Sequence, residues 1–178
     1  MKARLIDGKA IAAQIRQEIG EDVERIRQNG GTPGLAVILV GDDPASHVYV
    51  RQKNKACEKA GIYSVTEHLP TTISEEELLA KVNQFNRERK FHGLLVQLPL
   101  PAHIDSQKVI ETVAPQKDVD CFHPFNVGRL AIGKPQFEPA TPAGIVELLA
   151  RSDISPAGKH VVIVGRSNIV GKPLANLL

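Results

Sequence analysis

A tyrosine and a lysine four residues apart are the first residues in this sequence that could do chemistry together. Tyr49 and Lys53 lie in the segment PASHVYVRQKNKACEKAGI, which follows an apolar run at residues 35–40. In a helix, residues four apart project from the same face about one turn apart. An aromatic ring beside an amine at the carboxyl end of a buried strand lies where open α/β sheets bind ligands. The pair also fits a surface lysine next to a half-buried tyrosine, because exposed lysines are common.

Two further polar residues, Gln97 and Asp120, also follow or end apolar segments, so a parallel sheet could bring them and Lys53 to one rim. A lysine that acts as a base must be partly neutral, so its pKa must fall below the usual value of about 10.4. The neutral amide of Gln97 could orient the amine without fixing its charge. Asp120 could accept two hydrogen bonds from an aminopyrimidine-like edge. Taken singly, each residue also fits a structural role, and Asp120 could simply cap the turn at Val119.

A glycine-containing turn late in the sequence is a candidate phosphate site. Gly165 and Gly171 lie between an apolar run at residues 160–164 and a helical segment. Backbone N–H groups and a helix N-terminus can face a phosphate in such a turn. Arg166 and Ser167 could bind an additional phosphate, as on the ribose of NADP. The spacing is not the G-x-G-x-x-G fingerprint, and a tight turn without a ligand explains it equally well.

The hydrophobic pattern predicts alternating strands and helices, and therefore a parallel sheet with right-handed crossovers. Asp43 and Pro44 suit a helix start, and Ser74 begins a capping box with Glu77. From Asp120 to Pro142 the sequence is rich in proline, glycine and phenylalanine and lacks clear periodicity, which indicates a functional loop or a domain boundary. The predicted strands are residues 35–40, 62–69, 91–98 and 160–164, and the predicted helices are residues 8–28, 44–60, 75–89, 105–113 and 143–151.

The composition is typical of a globular protein, with 42% hydrophobic and 24% charged residues and a net charge of +2. Basic and acidic residues are interleaved, so a nucleic-acid partner is not expected. Neither a signal peptide nor a membrane span is predicted. Cys57 and Cys121 make no disulfide framework, which favours the cytosol. No metal site is predicted, because four of the histidines share no ligand spacing: His68, His92, His103 and His123.

Together these motifs resemble the bifunctional methylenetetrahydrofolate dehydrogenase/methenyltetrahydrofolate cyclohydrolase family. The resemblance rests on PASHVYVRQKNKACEKAGI, HGLLVQLPLPAHID, KDVDCFHPFNVGRL, PATPAGIVELL and GKHVVIVGRSNIVGKPLANLL, which occur in order over essentially the whole chain. It implies an α/β fold with a three-layer parallel-sheet catalytic domain (residues 1–121), followed by the start of a Rossmann-type NADP-binding domain (residues 122–178). It also implies a cytoplasmic homodimer of one-carbon metabolism that binds folate between its domains and uses NADP.

The resemblance assigns roles to the candidate residues near the first helix and strand ends. Lys53 would be the general acid/base, and Tyr49 would stack on the folate and align it against that lysine. Gln97 would hydrogen-bond to the lysine and tune it. Asp120 would hold the amino edge of the pterin.

The resemblance also places the cofactor and exposes two departures from the family pattern. Gly165, Arg166 and Ser167 would contact the cofactor, and the arginine and serine would favour the extra phosphate of NADP. Cys121 stands where the family usually has glycine, which could alter the loop because glycine reaches backbone angles that cysteine does not. Ala140 stands where a cysteine is common, and we expect this change to cost nothing.

The last residues of the sequence predict that the cofactor domain is incomplete. Leu178 lies only a few residues into the last predicted helix, without a C-cap signal. A nucleotide-binding half is built from several β-α units, and only one begins here. We therefore expect a truncated cofactor domain and a poor NADP-dependent step. The alternative is an inactive or binding-only fragment of such an enzyme.

Overall fold

The computed structural model of the chain describes residues 4–178. Contacts divide the chain into a sheet unit, Glu18–Val119, and a helical unit made of residues 4–17 and 120–178. A short 3-10 helix occupies Pro115–Lys117. The remaining elements, in chain order, are α1 (Gly8–Gln28), β1 (Gly34–Val40), α2 (Pro44–Ala60), β2 (Tyr63–Leu69), α3 (Glu75–Arg87), β3 (Gly93–Val96), α4 (Ser106–Thr112), α5 (Pro124–Ala131), α6 (Ala140–Ala150) and α7 (Gly171–Leu177).

The sheet unit contains a three-stranded parallel sheet in the order β2-β1-β3, which confirms the predicted fold class. The central strand β1 pairs with β2 from Gly34↔Tyr63 to Val40↔Leu69, and with β3 from Leu35↔Gly93 to Ile38↔Val96. Because β1 has a neighbour on each side and helices on each face, nearly all of its residues are buried. A continuous apolar run is the pattern expected of such a strand.

Helices cover both faces of this sheet and give the sheet unit three layers. On one face, Ile38 and Leu94 belong to a large core whose other members include Leu78, Val82 and Phe85 of α3. On the other face, a smaller core contains residues of β1 and β3 together with Val50 of α2. The larger core therefore anchors α3, and the smaller one holds α2 against the strand ends.

The first turn of α3 contains the predicted capping box. Ser74 Oγ accepts a hydrogen bond from Glu77 N, and the Glu77 carboxylate accepts one from Ser74 N at 3.0 Å. Glu75 extends the arrangement to α4, since it accepts bonds from Lys108 Nζ at 2.8 Å and from Asp105 N at 2.7 Å. The hydrogen bond from Ser74 N lowers the pKa of Glu77, and the bond from Lys108 lowers the pKa of Glu75.

These lowered pKa values predict an acid-sensitive sheet unit. A carboxyl whose pKa is lower when folded stabilises the protein above its unfolded pKa, and that contribution is lost as the pH falls through the folded value. Urea titrations at successive pH values should therefore give a steeper loss of stability below about pH 4.5 for the unaltered protein than for Glu77→Gln. Glu76→Gln removes the same charge from the same turn and serves as the control. Equal slopes for the unaltered protein and Glu77→Gln would contradict the prediction.

The helical unit differs from two predictions. Residues 124–131, predicted to be irregular, form α5, with Pro124 in the first turn and His123 Nδ1 accepting the N–H of Phe125 at 3.0 Å. The predicted strand at residues 160–164 is wrong: that segment is neither helix nor strand. No strand of the described helical unit lies beside it, so no ladder forms, and Val162 and Val164 are 72% and 100% exposed. In the same unit α7 packs against α5 and α6.

Among residues 4–178, no helix is long and apolar enough to cross a lipid bilayer.

Candidate active site and cofactor turn

Local interactions fix the position of α2, the helix that carries Tyr49 and Lys53. Asp43 caps its first turn, because Oδ2 accepts the N–H of Ser46 at 2.7 Å. Gly61 ends the helix at φ 76°, in the left-handed region that glycine enters without strain. Asn54 and Thr66 of β2 exchange two side-chain hydrogen bonds, at 2.9 and 3.2 Å. These contacts, together with the buried Val50, keep the face of α2 in one orientation.

Lys53 and Gln97 lie in direct contact, although 44 positions separate them in the sequence. Lys53 Nζ donates a hydrogen bond to Gln97 Oε1 at 2.9 Å. The amide is oriented by its other end, since Gln97 Nε2 donates to the carbonyl of Leu98 at 2.7 Å. The backbone N–H of Gln97 also bonds to Ile38 O, which extends the β1–β3 ladder by one step. Gln97 therefore presents an oxygen, and no charge, to the lysine amine.

Tyr49 precedes Lys53 by one helical turn, and its side chain is 59% exposed. A large aromatic ring that is mostly open to solvent leaves an apolar face unused. The sheet unit thus brings together three of the predicted site residues: an aromatic ring, an amine and a neutral amide at the carboxyl ends of β1 and β3.

The other predicted site residues belong to the helical unit. Asp120 is partly buried in a turn that follows the pairing of Asp118 with Leu94 of β3. Arg166 and Ser167 are exposed, and Gly165 has φ 152°. The hydroxyl oxygen of Ser167 accepts the N–H groups of Val170 and Gly171 at 3.1 and 3.3 Å, and so closes the turn that leads into α7.

The turn before α7 is closed so tightly that Gly171 has no room for a side chain. A Cβ at Gly171 would lie 2.4 Å from the carbonyl oxygen of Gly165. A Cβ at Gly165, in contrast, would meet no heavy atom within 4 Å. The turn is therefore compact on its inner side and open beside Gly165.

Two family models match the chain in sequence order. Residues 6–120 match the catalytic domain of tetrahydrofolate dehydrogenase/cyclohydrolase, and residues 139–178 match the NAD(P)-binding domain of the same enzymes. The first match alone spans more than half of the chain. The chain belongs to the tetrahydrofolate dehydrogenase/cyclohydrolase family. The resemblance inferred from the motifs is confirmed.

Individual members of the family support this assignment. The chain is 58% identical to the bifunctional protein FolD of Magnetococcus marinus over 177 residues, 99% of the chain and 62% of that protein. It resembles the FolD crystal structure from Campylobacter jejuni with a TM-score of 0.96 and 48% identity, covering 98% of the chain and 62% of that structure. The chain also resembles the structure of the Trypanosoma brucei enzyme, which was determined with NADP cofactor and inhibitor, with a TM-score of 0.94 and 39% identity. This match covers 99% of the chain and 61% of that structure. The chain thus spans about 62% of the length of the relatives it matches.

Cys121 is the position at which the family pattern leads us to expect glycine. Its φ is 58°, in the left-handed region, so the cysteine adopts the backbone conformation that a glycine would take without strain. The side chain is buried, and its Sγ donates to the carbonyl of Phe137 at 3.2 Å. Burial of the thiol therefore offsets a left-handed conformation that costs an L-residue about 1–2 kcal/mol.

The left-handed backbone at position 121 predicts that a glycine variant is more stable than an alanine variant. Cys121→Ala and Cys121→Gly both lose the buried thiol, but only the alanine keeps the backbone strain. We expect Cys121→Gly to be the more stable of the two by about 1 kcal/mol in the free energy of unfolding. Thermal and chemical denaturation of both variants would measure the difference. A more stable alanine variant would mean that the left-handed backbone carries no cost here.

Proposed function

We propose that this chain carries the folate chemistry of its family. The reaction sequence is oxidation of 5,10-methylenetetrahydrofolate by hydride transfer to NADP, followed by hydrolysis of 5,10-methenyltetrahydrofolate to 10-formyltetrahydrofolate. The first step converts the methylene bridge to a methenyl cation. The second step adds water to that cation and opens the ring, releasing a proton.

The observation that carries the proposal is the contact between Lys53 Nζ and Gln97 Oε1 at 2.9 Å. Addition of water to a cationic carbon needs a group that accepts and returns a proton near neutral pH. A carboxylate beside the lysine would hold it protonated, whereas an amide oxygen orients the amine and leaves its charge free to change. Lys53 is then the general acid/base, and Gln97 is the positioning residue that aims it.

Tyr49 and Asp120 are proposed to hold the folate. The exposed ring of Tyr49 offers a flat apolar face for stacking beside the lysine. Asp120 supplies a carboxylate that can accept two hydrogen bonds from the amino edge of the pterin. Hydride transfer depends mainly on positioning two rings, so these contacts matter for both steps.

Gly165, Arg166 and Ser167 are proposed to hold NADP, which supplies the hydride acceptor when bound. The open space beside Gly165 and the exposed guanidinium of Arg166 suit a phosphate. The match of residues 139–178 to an NAD(P)-binding domain supports this placement. Because the hydroxyl oxygen of Ser167 already accepts the N–H groups of Val170 and Gly171, Arg166 is the stronger candidate for the extra phosphate of NADP.

Two assays on the protein test the proposal. Loss of the methenyl chromophore measures hydrolysis. Calorimetric titration with NADP measures cofactor binding at the turn of Gly165, Arg166 and Ser167. We expect hydrolysis above the buffer rate, and weak NADP binding that Arg166→Ala weakens further. Folded protein that binds a folate but never accelerates hydrolysis would reject the enzymatic proposal.

One observation favours a second candidate, a binding-only role. Residues 159–164, which lead into the turn of Gly165, Arg166 and Ser167, form no strand, and Val164 is fully exposed. A phosphate turn needs a rigid support to be preorganised. Folate binding without turnover, combined with no detectable NADP complex, would favour this alternative.

The remaining assignments follow the family rather than the site. We propose that the protein works in the cytoplasm as a homodimer, with neither nucleic acid nor membrane as a partner. We also propose a catalytic domain over residues 1–121 and a cofactor domain from residue 122 onward. Sedimentation of the protein at several concentrations would test the dimer, since dissociation must follow mass action.

A further inference from the structure

We propose that Asp42, His47 and His68 form a binding site for a divalent transition-metal ion, with Zn²⁺ as the reference ion. The three residues come from the β1–α2 loop, the first turn of α2 and the end of β2, all within the sheet unit. One carboxylate oxygen and one ring nitrogen of each histidine all lie within 4.8 Å of one another. The proposed folate chemistry assigns no role to these three residues.

Sheet register and helix capping bring the three donors together. His68 pairs with Leu39, one residue before the end of β1, so its ring reaches the loop that follows. Its Nε2 lies 3.0 Å from the carbonyl oxygen of Gly41. The N–H of His47 bonds to Asp43 O within the first turn of α2. The two imidazole rings meet edge to face, with centroids 5.0 Å apart. The donors are therefore held close together by the backbone and by ring packing.

Two of the donor–donor distances match those of a metal site. His47 Nε2 and His68 Nε2 lie 3.6 and 3.4 Å from Asp42 Oδ1. Ligand atoms bound at about 2.0–2.1 Å to a tetrahedral ion are separated by about 3.4 Å. Two histidines and one carboxylate form a donor set that suits zinc, with a fourth position filled by water. His68 Nε2 would exchange its contact with Gly41 O for a bond to the ion.

An ion at this position would add a further link between three elements that backbone pairing and side-chain contacts already hold together. It would tie the β1–α2 loop and the first turn of α2 to the edge strand β2. Tyr49 and Lys53 follow His47 on the same helix, so the ion would also restrain the helix that carries them. A ligand that binds only the folded state raises thermal stability with its concentration.

Titration of the untagged protein with Zn²⁺, followed by calorimetry and by thermal unfolding, tests the site. We expect one ion per chain, a rise in Tm on adding Zn²⁺, and loss of that rise in His68→Ala. Loss of an outer-sphere partner alone typically weakens metal binding about 10- to 100-fold, so His68→Ala and Asp42→Asn should each weaken it at least about tenfold. Circular dichroism would establish that both variants remain folded.

His103→Ala is the matched control, because His103 is also an exposed histidine of the sheet unit whose Nε2 bonds to a backbone carbonyl, that of Ile73 at 2.9 Å. This variant should bind Zn²⁺ like the unaltered protein. Equal affinity in all four proteins would mean scattered surface binding and would overturn the proposal. So would the absence of a Zn²⁺-dependent rise in Tm for the unaltered protein, which would reduce the cluster to an ordinary ion pair.

Discussion

Lys53→Ala is expected to slow hydrolysis of 5,10-methenyltetrahydrofolate by about 10²- to 10⁴-fold, the usual contribution of a positioned general acid or base. The amine is the group that Gln97 Oε1 orients at 2.9 Å, and alanine leaves no proton acceptor at that point. Single-turnover decay of the methenyl chromophore would measure the effect separately from product release. Lys55→Ala removes an exposed lysine from the same helix and should leave the rate unchanged. Near-normal hydrolysis by Lys53→Ala would remove this lysine from the mechanism.

A substitution at Gln97 tests whether its contact with Lys53 affects proton transfer or only packing. Gln97→Glu keeps the size of the side chain and places a carboxylate next to Lys53 Nζ. An opposite charge beside the amine stabilises its protonated form. The pH profile of hydrolysis should then shift to higher pH. A purely structural contact would lower the rate without moving the profile.

Phe91→Ala is expected to lower the free energy of unfolding by about 3–5 kcal/mol, more than any other substitution proposed here. Phe91 is 1% exposed just before β3, with its ring against Phe85 of α3 at 5.4 Å between centroids and stacked on Tyr63 at 5.8 Å. Truncation removes two ring contacts and opens a cavity between the sheet and α3. Urea titration at constant pH would measure the change.

Phe125→Ala is the matched control for that experiment. Phe125 is 52% exposed, and its ring lies under the guanidinium of Arg129 at 5.8 Å. Such a surface contact is worth about 0.5–1 kcal/mol, so this variant should lose less than about 1 kcal/mol. Similar losses for the two variants would mean that Phe91 does not anchor the larger core.

Local rules account for what could be predicted from the sequence. Asp43 and Gly61 mark the ends of α2, and Ser74 with Glu77 marks the start of α3, because capping depends on residues only a few positions apart. The apolar run at residues 35–40 indicated a buried strand, and nearly all of β1 is buried. The same rules missed α5, whose short helix is hidden among prolines and glycines. They also overpredicted a strand at residues 160–164, because apolar character alone does not supply a neighbouring strand.

Helical spacing alone pairs Tyr49 with Lys53, so their shared helix face is a property of the sequence itself. The contact between Lys53 and Gln97 is decided by the tertiary structure, since it requires β1 and β3 to pair in one register. The approach of His68 to Asp42 depends likewise on the register of β1 with β2. A shift of one residue would turn each strand side chain to the opposite face of the sheet, so pairing between distant segments is what turns local patterns into a site.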